Sequence, residues 1–258
     1  MRQKEKYKII IAILACVILL QWLFMFMGRP KVKPRGKAAI KGKIAIVLDD
    51  WGYNLNNLDI VSQIKYPLTV SVLPGLSFSA RVARELNSRG LEVILHLPME
   101  PQEKYRLEKD TIKVGMEKEV ITDILNRDLE SIVYARGVSN HMGSKATEDT
   151  DVMGVVFRQL KKKRLYFLDS FVSADSVGAD LATKFRLGFA RRDVFLDNNE
   201  DPEYIKQQIY KLKSKARANG YAIGIGHDRR ATLEVLKEQM PLLAREGYKF
   251  VFVSELVR

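Results

Sequence analysis

KIAIVLD, residues Lys43–Asp49, is an unbroken apolar run that ends in an acid. A strand with one face in water alternates apolar and polar residues. A run without alternation marks a strand buried on both faces, the habit of parallel sheets covered by helices. The pattern returns along the chain at Leu68–Leu73 (LTVSVL), Leu91–Leu97 (LEVILHL), Gly137–His141 (GVSNH), Leu165–Asp169 (LYFLD), Leu187–Ala190 (LGFA), Tyr221–Gly226 (YAIGIG) and Lys249–Val253 (KFVFV). Helical periodicity fills the gaps. Val120, Ile121, Ile124, Leu125, Leu129, Ile132 and Val133 form one stripe of a helix over 118–134. Asp201-Pro202 supplies an N-cap and a first-turn proline for a second helix that Asn219-Gly220 ends. Residues 230–245 form a third, with Pro241 as a kink and Gly247 just past its end. Seven or eight strand–helix units predict an α/β barrel, with a doubly wound open sheet as the alternative.

Upstream of these units the composition changes. Ile9–Met27 reads IIIAILACVILLQWLFMFM, with Gln21 the one strongly polar residue. Nineteen residues at ~1.5 Å each span about one hydrocarbon thickness. Arg2, Lys4, Lys6 and Lys8 precede the run, and Trp22–Met27 are too bulky for a signal-peptidase site, so an uncleaved anchor is expected. Ile13-Leu14-Ala15-Cys16 faintly resembles a lipoprotein cleavage box, but the apolar run continues well past Cys16. Residues 1–28 therefore read as a single-pass membrane anchor and 29–42, rich in Pro and cations, as a linker. The net charge of +12 sits here: eleven Lys/Arg and one Glu lie in residues 1–43, leaving a nearly neutral remainder. A nucleic-acid groove would place that charge on the folded domain, so nucleic acid is not an expected partner. One cysteine excludes a disulfide framework or a Cys-rich zinc module.

In such a fold, chemistry sits at the C-terminal ends of the strands. The polar residues there are Asp49-Asp50, His96, Asn140-His141, Asp169 and His227-Asp228. The chain has only three histidines, and each falls at one rim. Imidazoles with a carboxylate make a three-ligand site for Zn²⁺ or a similar divalent ion, and a second carboxylate serves as general base. Adjacent Asp49 and Asp50 point to opposite faces of a regular strand, so both serve one site only if the chain turns at once, as Trp51-Gly52 allows. No G-x-S-x-G elbow occurs, and Gly224-Ile225-Gly226 is too short for a phosphate loop.

LDDWG at 48–52, HLPMEP at 96–101, SNHMGS at 139–144, FLDS at 167–170 and GIGHDR at 224–229 together resemble the divergent polysaccharide deacetylases, relatives of the metal-dependent polysaccharide deacetylases. The resemblance spans 43–258 and implies a distorted (β/α)7 barrel that removes acetyl groups from N-acetylated sugars with a divalent metal, Zn²⁺ foremost. By match, Asp49 is the base, Asp50 a metal ligand, His96 another and His227 the general acid, with Asp169 an orienting partner for a histidine. The family's H-x3-H spacing is broken here, because Glu100 stands four residues after His96. Either Glu100 takes the vacant ligand position or His141 does; Pro98 and Pro101 favour His141 and leave Glu100 to the substrate. Asn140, Asp228 and Arg229 are assigned to substrate or to support of the ligands, and Trp51, Tyr53 and Phe171 are candidates for stacking on sugar rings. The implied partner is an N-acetylated envelope or extracellular polysaccharide. The competing readings are a degenerate barrel that binds glycan or an envelope partner without hydrolysis, and an unrelated hydrolase such as a phosphoesterase.

The orientation expected is N-terminus in, domain outside the cytoplasmic membrane, because the short basic head precedes the first apolar segment. A cysteine introduced into residues 29–42 should react with a membrane-impermeant thiol reagent in intact cells or spheroplasts; labelling only after lysis would reverse the orientation.

Overall fold

The computed structural model describes residues 3–27 and 40–258, so most of the linker read at 29–42 lies outside the described residues. They fall into two units, one on each side of Ala39. The first is helix α1 (Gln3–Met27), with a mean hydropathy of 2.8 over its apolar window. At about 1.5 Å per residue it is long enough to cross a bilayer.

The second unit is built on nine strands, all parallel: β1 (Gly42–Trp51), β2 (Thr69–Val72), β3 (Glu92–Met99), β4 (Gly137–Met142), β5 (Tyr166–Asp169), β6 (Phe189–Arg191), β7 (Val194–Phe195), β8 (Tyr221–His227) and β9 (Tyr248–Phe250). The helices between them are α2 (Leu58–Val61), α3 (Ser79–Ser88), α4 (Lys118–Ser131), α5 (Thr150–Lys163), α6 (Gly178–Phe185), α7 (Pro202–Asn219) and α8 (Arg230–Glu246). The caps read from sequence are in place: Asp201 accepts the Glu203 N–H at 3.0 Å, and Gly220 and Gly247 end their helices in the left-handed conformation. Pro241 lies inside α8.

Hydrogen bonding gives the order β6-β5-β4-β3-β2-β1-β8-β7, with β9 added to β1. Its two end strands are joined by only two residues, Arg192 and Asp193. A flat sheet of that order would hold its edges many strand widths (about 4.8 Å each) apart, so the sheet is rolled up. One extended segment is handed across: the Arg192 N–H bonds to the Asp169 carbonyl of β5, and the next N–H, of Asp193, to the Ile223 carbonyl of β8. Counting β6 and β7 as that one segment, seven positions surround the barrel. The fold is the distorted (β/α)7 type, and the open doubly wound alternative is excluded. The sequence expectation had one strand at Leu187–Ala190; β7 is too short to register as an apolar run.

Strand alternation separates two cores. Ile44, Ile46 and Leu48 of β1 face the helices in the larger cluster, while Ala45 and Val47 face the barrel interior with Ile94, Tyr166, Leu168, Ile223 and Ile225. Both faces of β1 are apolar for that reason. The lower end of the interior is plugged by the C-terminal segment, where Glu92 accepts hydrogen bonds from Thr69, Tyr166 and the Ser254 backbone.

Gly42 shows how closely the outer layer sits. A Cβ there would stand 2.4 Å from the Ala216 carbonyl oxygen in α7, a backbone atom that cannot rotate away. Gly42→Ala should therefore destabilise the domain by about 1–3 kcal/mol, read as a lower denaturant midpoint with an unchanged slope.

Candidate active site

Parallel strands bring all their C-terminal ends to one mouth of the barrel, and alternation decides which side chains face it. The interior positions of β1 run Ala45, Val47 and then Asp49; those of β3 run Ile94 then His96. On β8 they run Ile223, Ile225 and then His227. The β1–β8 register sets Asp49 beside His227, and the β3–β4 register pairs His96 with Ser139, two residues before His141. The three histidines and Asp49 thus share a mouth because they share a parity.

Asp50 has the wrong parity. It reaches the same mouth because its backbone is left-handed, φ 65°, a conformation rare outside glycine. The register shows the result: Leu48 pairs with Val70 but Trp51 with Val72, three steps on β1 against two on β2. This is a bulge that re-aims one side chain. The turn expected at Trp51-Gly52 begins one residue earlier, at Asp50 itself, and Gly52 at φ 125° completes it.

Asp50 Oδ1 lies 3.2 Å from His96 Nε2 and 3.1 Å from His141 Nδ1. The three ligand atoms lie within 4.8 Å of one another, and the imidazoles meet edge to face, 5.0 Å between centroids. Zinc bonds of about 2.0–2.1 Å in tetrahedral array would hold donors roughly 3.3 Å apart, so this set fits such an ion. The far nitrogen of His96 pairs with Ser139 Oγ at 2.8 Å, itself 2.6 Å from Ser71 Oγ, in a buried relay that directs Nε2 into the site.

The two aspartates differ in environment. Burial pushes the Asp49 carboxyl above its ordinary range, with His96 pulling against it and Asp50 adding to it. One of its oxygens is buried with no hydrogen-bond partner among the described residues. Burial also acts upward on Asp50, but hydrogen bonds with His141 and His96 outweigh it and hold that carboxyl far below the usual range. Neighbouring carboxyls pushed apart in this way can take separate acid–base roles.

His227 is held by a residue the sequence reading missed. Its Nδ1 lies 2.7 Å from Asp197 Oδ1, while Asp197 Oδ2 accepts the His227 backbone N–H at 2.8 Å and the Thr232 hydroxyl at 2.6 Å. Asp197 is fully buried. Burial acts downward on the imidazole, but the Asp197 hydrogen bond outweighs it and raises His227 above its ordinary value. VFLD at 194–197 repeats the strand-then-acid pattern of KIAIVLD, shortened by the brief β7. Arg229, assigned to substrate or to support of the ligands, donates to the Asp197 carbonyl at 2.7 Å, beside the residue that holds His227. Gly226 leaves the space: a Cβ there would stand 2.9 Å from Thr232 Cγ2 and 3.4 Å from Asp197 Oδ2.

Asp169 therefore does not orient a histidine. Its oxygens accept from the Phe171 N–H at 2.7 Å and the Ser176 hydroxyl at 2.6 Å, shaping the loop after β5. Asn140 is likewise consumed in structure, accepting the Ser170 N–H and donating to the Met142 carbonyl. Glu100 stands outside the cluster, braced by Lys145 at 2.8 Å and the Val114 N–H at 2.8 Å. The reason is local: His96–Met99 remain extended, so a residue four further on lies about 13 Å along the strand rather than one helical turn above. Asp228 accepts from Asn57 at 2.8 Å, and burial with the nearby Asp50 charge pushes its carboxyl up to about 6 against that bond. Trp51 is fully buried and unavailable to a sugar. Tyr53 is half exposed, bonded to Glu108, and Phe171 is partly exposed with Arg191 over its ring.

A family model described as divergent polysaccharide deacetylase matches residues 46–257. YibQ of Escherichia coli (strain K12), an uncharacterized protein, is 35% identical over 201 residues, 78% of this chain and 63% of its own length. The chain thus spans less than two thirds of that relative. Among solved structures, the uncharacterized protein ATU2773 of Agrobacterium tumefaciens C58 superposes with a TM-score of 0.81 at 25% identity, covering 85% of this chain and 91% of that one. The catalytic domain of a peptidoglycan N-acetylglucosamine deacetylase from Eubacterium rectale shares the fold, with a TM-score of 0.50 at 16% identity, covering 86% and 90%.

The Asp197–His227 pair makes a direct prediction. Asp197→Asn keeps the shape and removes the charge, so the His227 imidazole should titrate at lower pH than in the parent protein. Asp169→Asn should leave it unmoved. Histidine NMR titration reads both; three histidines make assignment simple.

Proposed function

The chain belongs to the divergent polysaccharide deacetylase family, and on that premise we propose that it is a membrane-anchored, metal-dependent hydrolase removing N-acetyl groups from an envelope or extracellular polysaccharide. The observation that carries the reading is the Asp50–His96–His141 cluster, flanked by a buried carboxyl on one side and a charge-held imidazole on the other. Two imidazoles and one carboxylate suit a borderline divalent ion, Zn²⁺ first among them. Such an ion, when bound, supplies a Lewis acid for an acetamide carbonyl and lowers the pKa of a water.

The chain's own groups supply the rest. Asp49, raised by burial and with one oxygen unpartnered, accepts a proton from the attacking water. His227, raised above its ordinary value by Asp197, gives a proton to the departing sugar nitrogen. Asp197 stays ionised: burial acts upward on it, but hydrogen bonds with His227 and Thr232 outweigh burial and hold its carboxyl low. Its part is to hold the imidazole ring in one orientation, as the carboxylate does in a hydrolytic triad. Ser139, through the far nitrogen of His96, fixes which nitrogen faces the site. Helix α1 tethers the domain, on the outer side of the cytoplasmic membrane where such a polymer lies.

Substitution separates these roles. Asp50→Asn, His96→Ala and His141→Ala should each lose bound metal. Asp49→Asn should keep it and lose turnover by about 10²–10⁴-fold, and Asp197→Asn should keep it with reduced turnover. Glu100→Gln should retain metal, since Glu100 sits with Lys145 and Val114. Metal content and acetate release from N-acetylated oligosaccharides are the readouts. Stoichiometric metal in His141→Ala with a metal-free Glu100→Gln would reverse the ligand assignment. Full metal without acetate release from any such substrate would favour the glycan-binding reading.

A further inference from the structure

In this barrel every strand starts, and every helix of a strand–helix unit ends, on the face opposite the candidate active site. The chain from the apolar segment enters on that same face, at Lys41, whose N–H bonds to the Gly247 carbonyl before β1 begins. Cations predominate there, although Glu130 and Glu246 stand at the ends of α4 and α8, Glu246 paired with Lys213, and Glu85 near the end of α3 is paired with Arg89. Each of four successive helix-to-strand connections carries an arginine and no acid: Arg89, Arg136, Arg164 and Arg186. The last turns of α5, α6, α7 and α8 add Lys161, Lys162, Lys163, Lys184, Arg217 and Arg245. Cations at helix C-termini complement the helix dipole, which accounts for one or two per helix. It does not account for the cluster at α5 and α6, where Lys162, Lys163, Arg164 and Lys184 are exposed and, among the described residues, have no acidic partner. The opposite mouth carries Asp49, Asp50, Asp197, Glu200, Asp201 and Asp228, alongside Lys145, Arg192 and Arg229. Within a domain close to neutral overall, these unpaired cations are concentrated at the ends of α5 and α6.

A second feature lies on the same side. No helix covers the passage from β6 to β7, and an open cleft of about 690 Å³ remains there against α6. Leu187, Ala182 and Leu256 line it with Arg186, Arg191 and Arg258, and with one acidic side chain, Asp193, whose carboxylate accepts the Ile223 N–H. Arginines beside an apolar floor match a lipid headgroup with the upper part of its chains.

The geometry points to this basic face as a docking surface for an anionic bilayer, which would hold the domain against the membrane with the candidate active site turned away from it. The proposal rests on the membrane anchoring put forward above and is independent of the reaction. The committed partner is anionic phospholipid, because the exposed, unpaired cations at the ends of α5 and α6 complement its headgroup charge, at about 1 kcal/mol for each Lys or Arg near such a surface.

The test uses the full chain reconstituted in vesicles, on a Cys16→Ser background. One fluorescent donor is placed at Asn219→Cys, at the end of α7, and in a second protein at Asn198→Cys, on the active-site side. Energy transfer to an acceptor-labelled lipid reads which face is nearer. In phosphatidylcholine vesicles containing phosphatidylglycerol, transfer should be clearly higher from position 219 than from 198. The difference should collapse in pure phosphatidylcholine, and in 1 M salt, where the screening length is about 3 Å. It should also collapse in the Lys162→Gln, Lys163→Gln, Arg164→Gln, Lys184→Gln protein, each neutralised cation weakening docking roughly fivefold. Equal transfer from both positions in anionic vesicles, or a difference indifferent to lipid charge, overturns the proposal. So would retention of the difference in the four-fold variant. A soluble polyanion that binds this face while anionic vesicles do not orient the domain would also overturn it. A chain that washes off neutral vesicles but still orients on anionic ones would remove the anchor and keep the face. Acetate release does not enter the readout, so an inactive enzyme leaves the result intact.

Discussion

The left-handed backbone at Asp50 is the constraint on which the site depends. Alternation along β1 aims Asp49 into the barrel mouth and would aim Asp50 at the helices. Only the bulge between Leu48 and Trp51 brings both carboxyls to the same place. A non-glycine residue in that region costs about 1–3 kcal/mol, and such strain persists only where the surroundings over-determine it. Here they do: β1 is hydrogen-bonded to β8 from Lys43 to Asp49, and Leu73 and Phe78 anchor the turn by bonds to the Trp51 and Gly52 carbonyls. Met142 and Phe171, at the ends of β4 and just past β5, have positive φ as well. Arg164 and Arg186, the left-handed caps of α5 and α6, share positive φ on the opposite face.

Around that constraint the barrel builds a graded electrostatic environment. Asp49 is enclosed and its carboxyl raised; Asp50, one residue on, shares hydrogen bonds with two imidazoles and is held low. On the far side of Asp49, the buried Asp197 carboxylate raises His227 above its ordinary value, against the downward pull of burial. Phe195 stacks on that imidazole, and the Arg192 guanidinium lies 3.6 Å from the Phe195 ring centroid. Arg192 is itself pinned by the Ser170 and Phe171 carbonyls, and burial lowers it to about 10. The segment that closes the barrel thus also carries the carboxylate that holds His227. Closure and acid–base poise share the same few residues, 191–197.

The fold class was legible in the sequence because it rests on short-range pattern. Continuous apolar runs such as KIAIVLD, alternating with 3.6-period stripes and capped by Asp201-Pro202 and Asn219-Gly220, specify buried parallel strands and covering helices without knowledge of their partners. The rim residues were legible for the same reason, since the end of a strand run is a local feature. The three histidines and the Asp49-Asp50 pair were found this way. Asp197 obeys the same rule and escaped because the two-residue β7 leaves almost no run to read.

What the sequence by itself determined is the strand and helix order and the set of polar side chains delivered to one rim. What only the tertiary structure decided is how those side chains meet. Asp197 rather than Asp169 reaches His227, because a single segment crosses from β5 to β8. Glu100 falls away from His96 because β3 runs extended through Met99, and Trp51 is buried on the helix side rather than at the mouth because the bulge reverses its side. Each outcome depends on register between strands far apart in the chain and on one residue's sign of φ. Neither is encoded in the residues' spacing, because both follow from hydrogen bonds that exist only once neighbouring strands are in place.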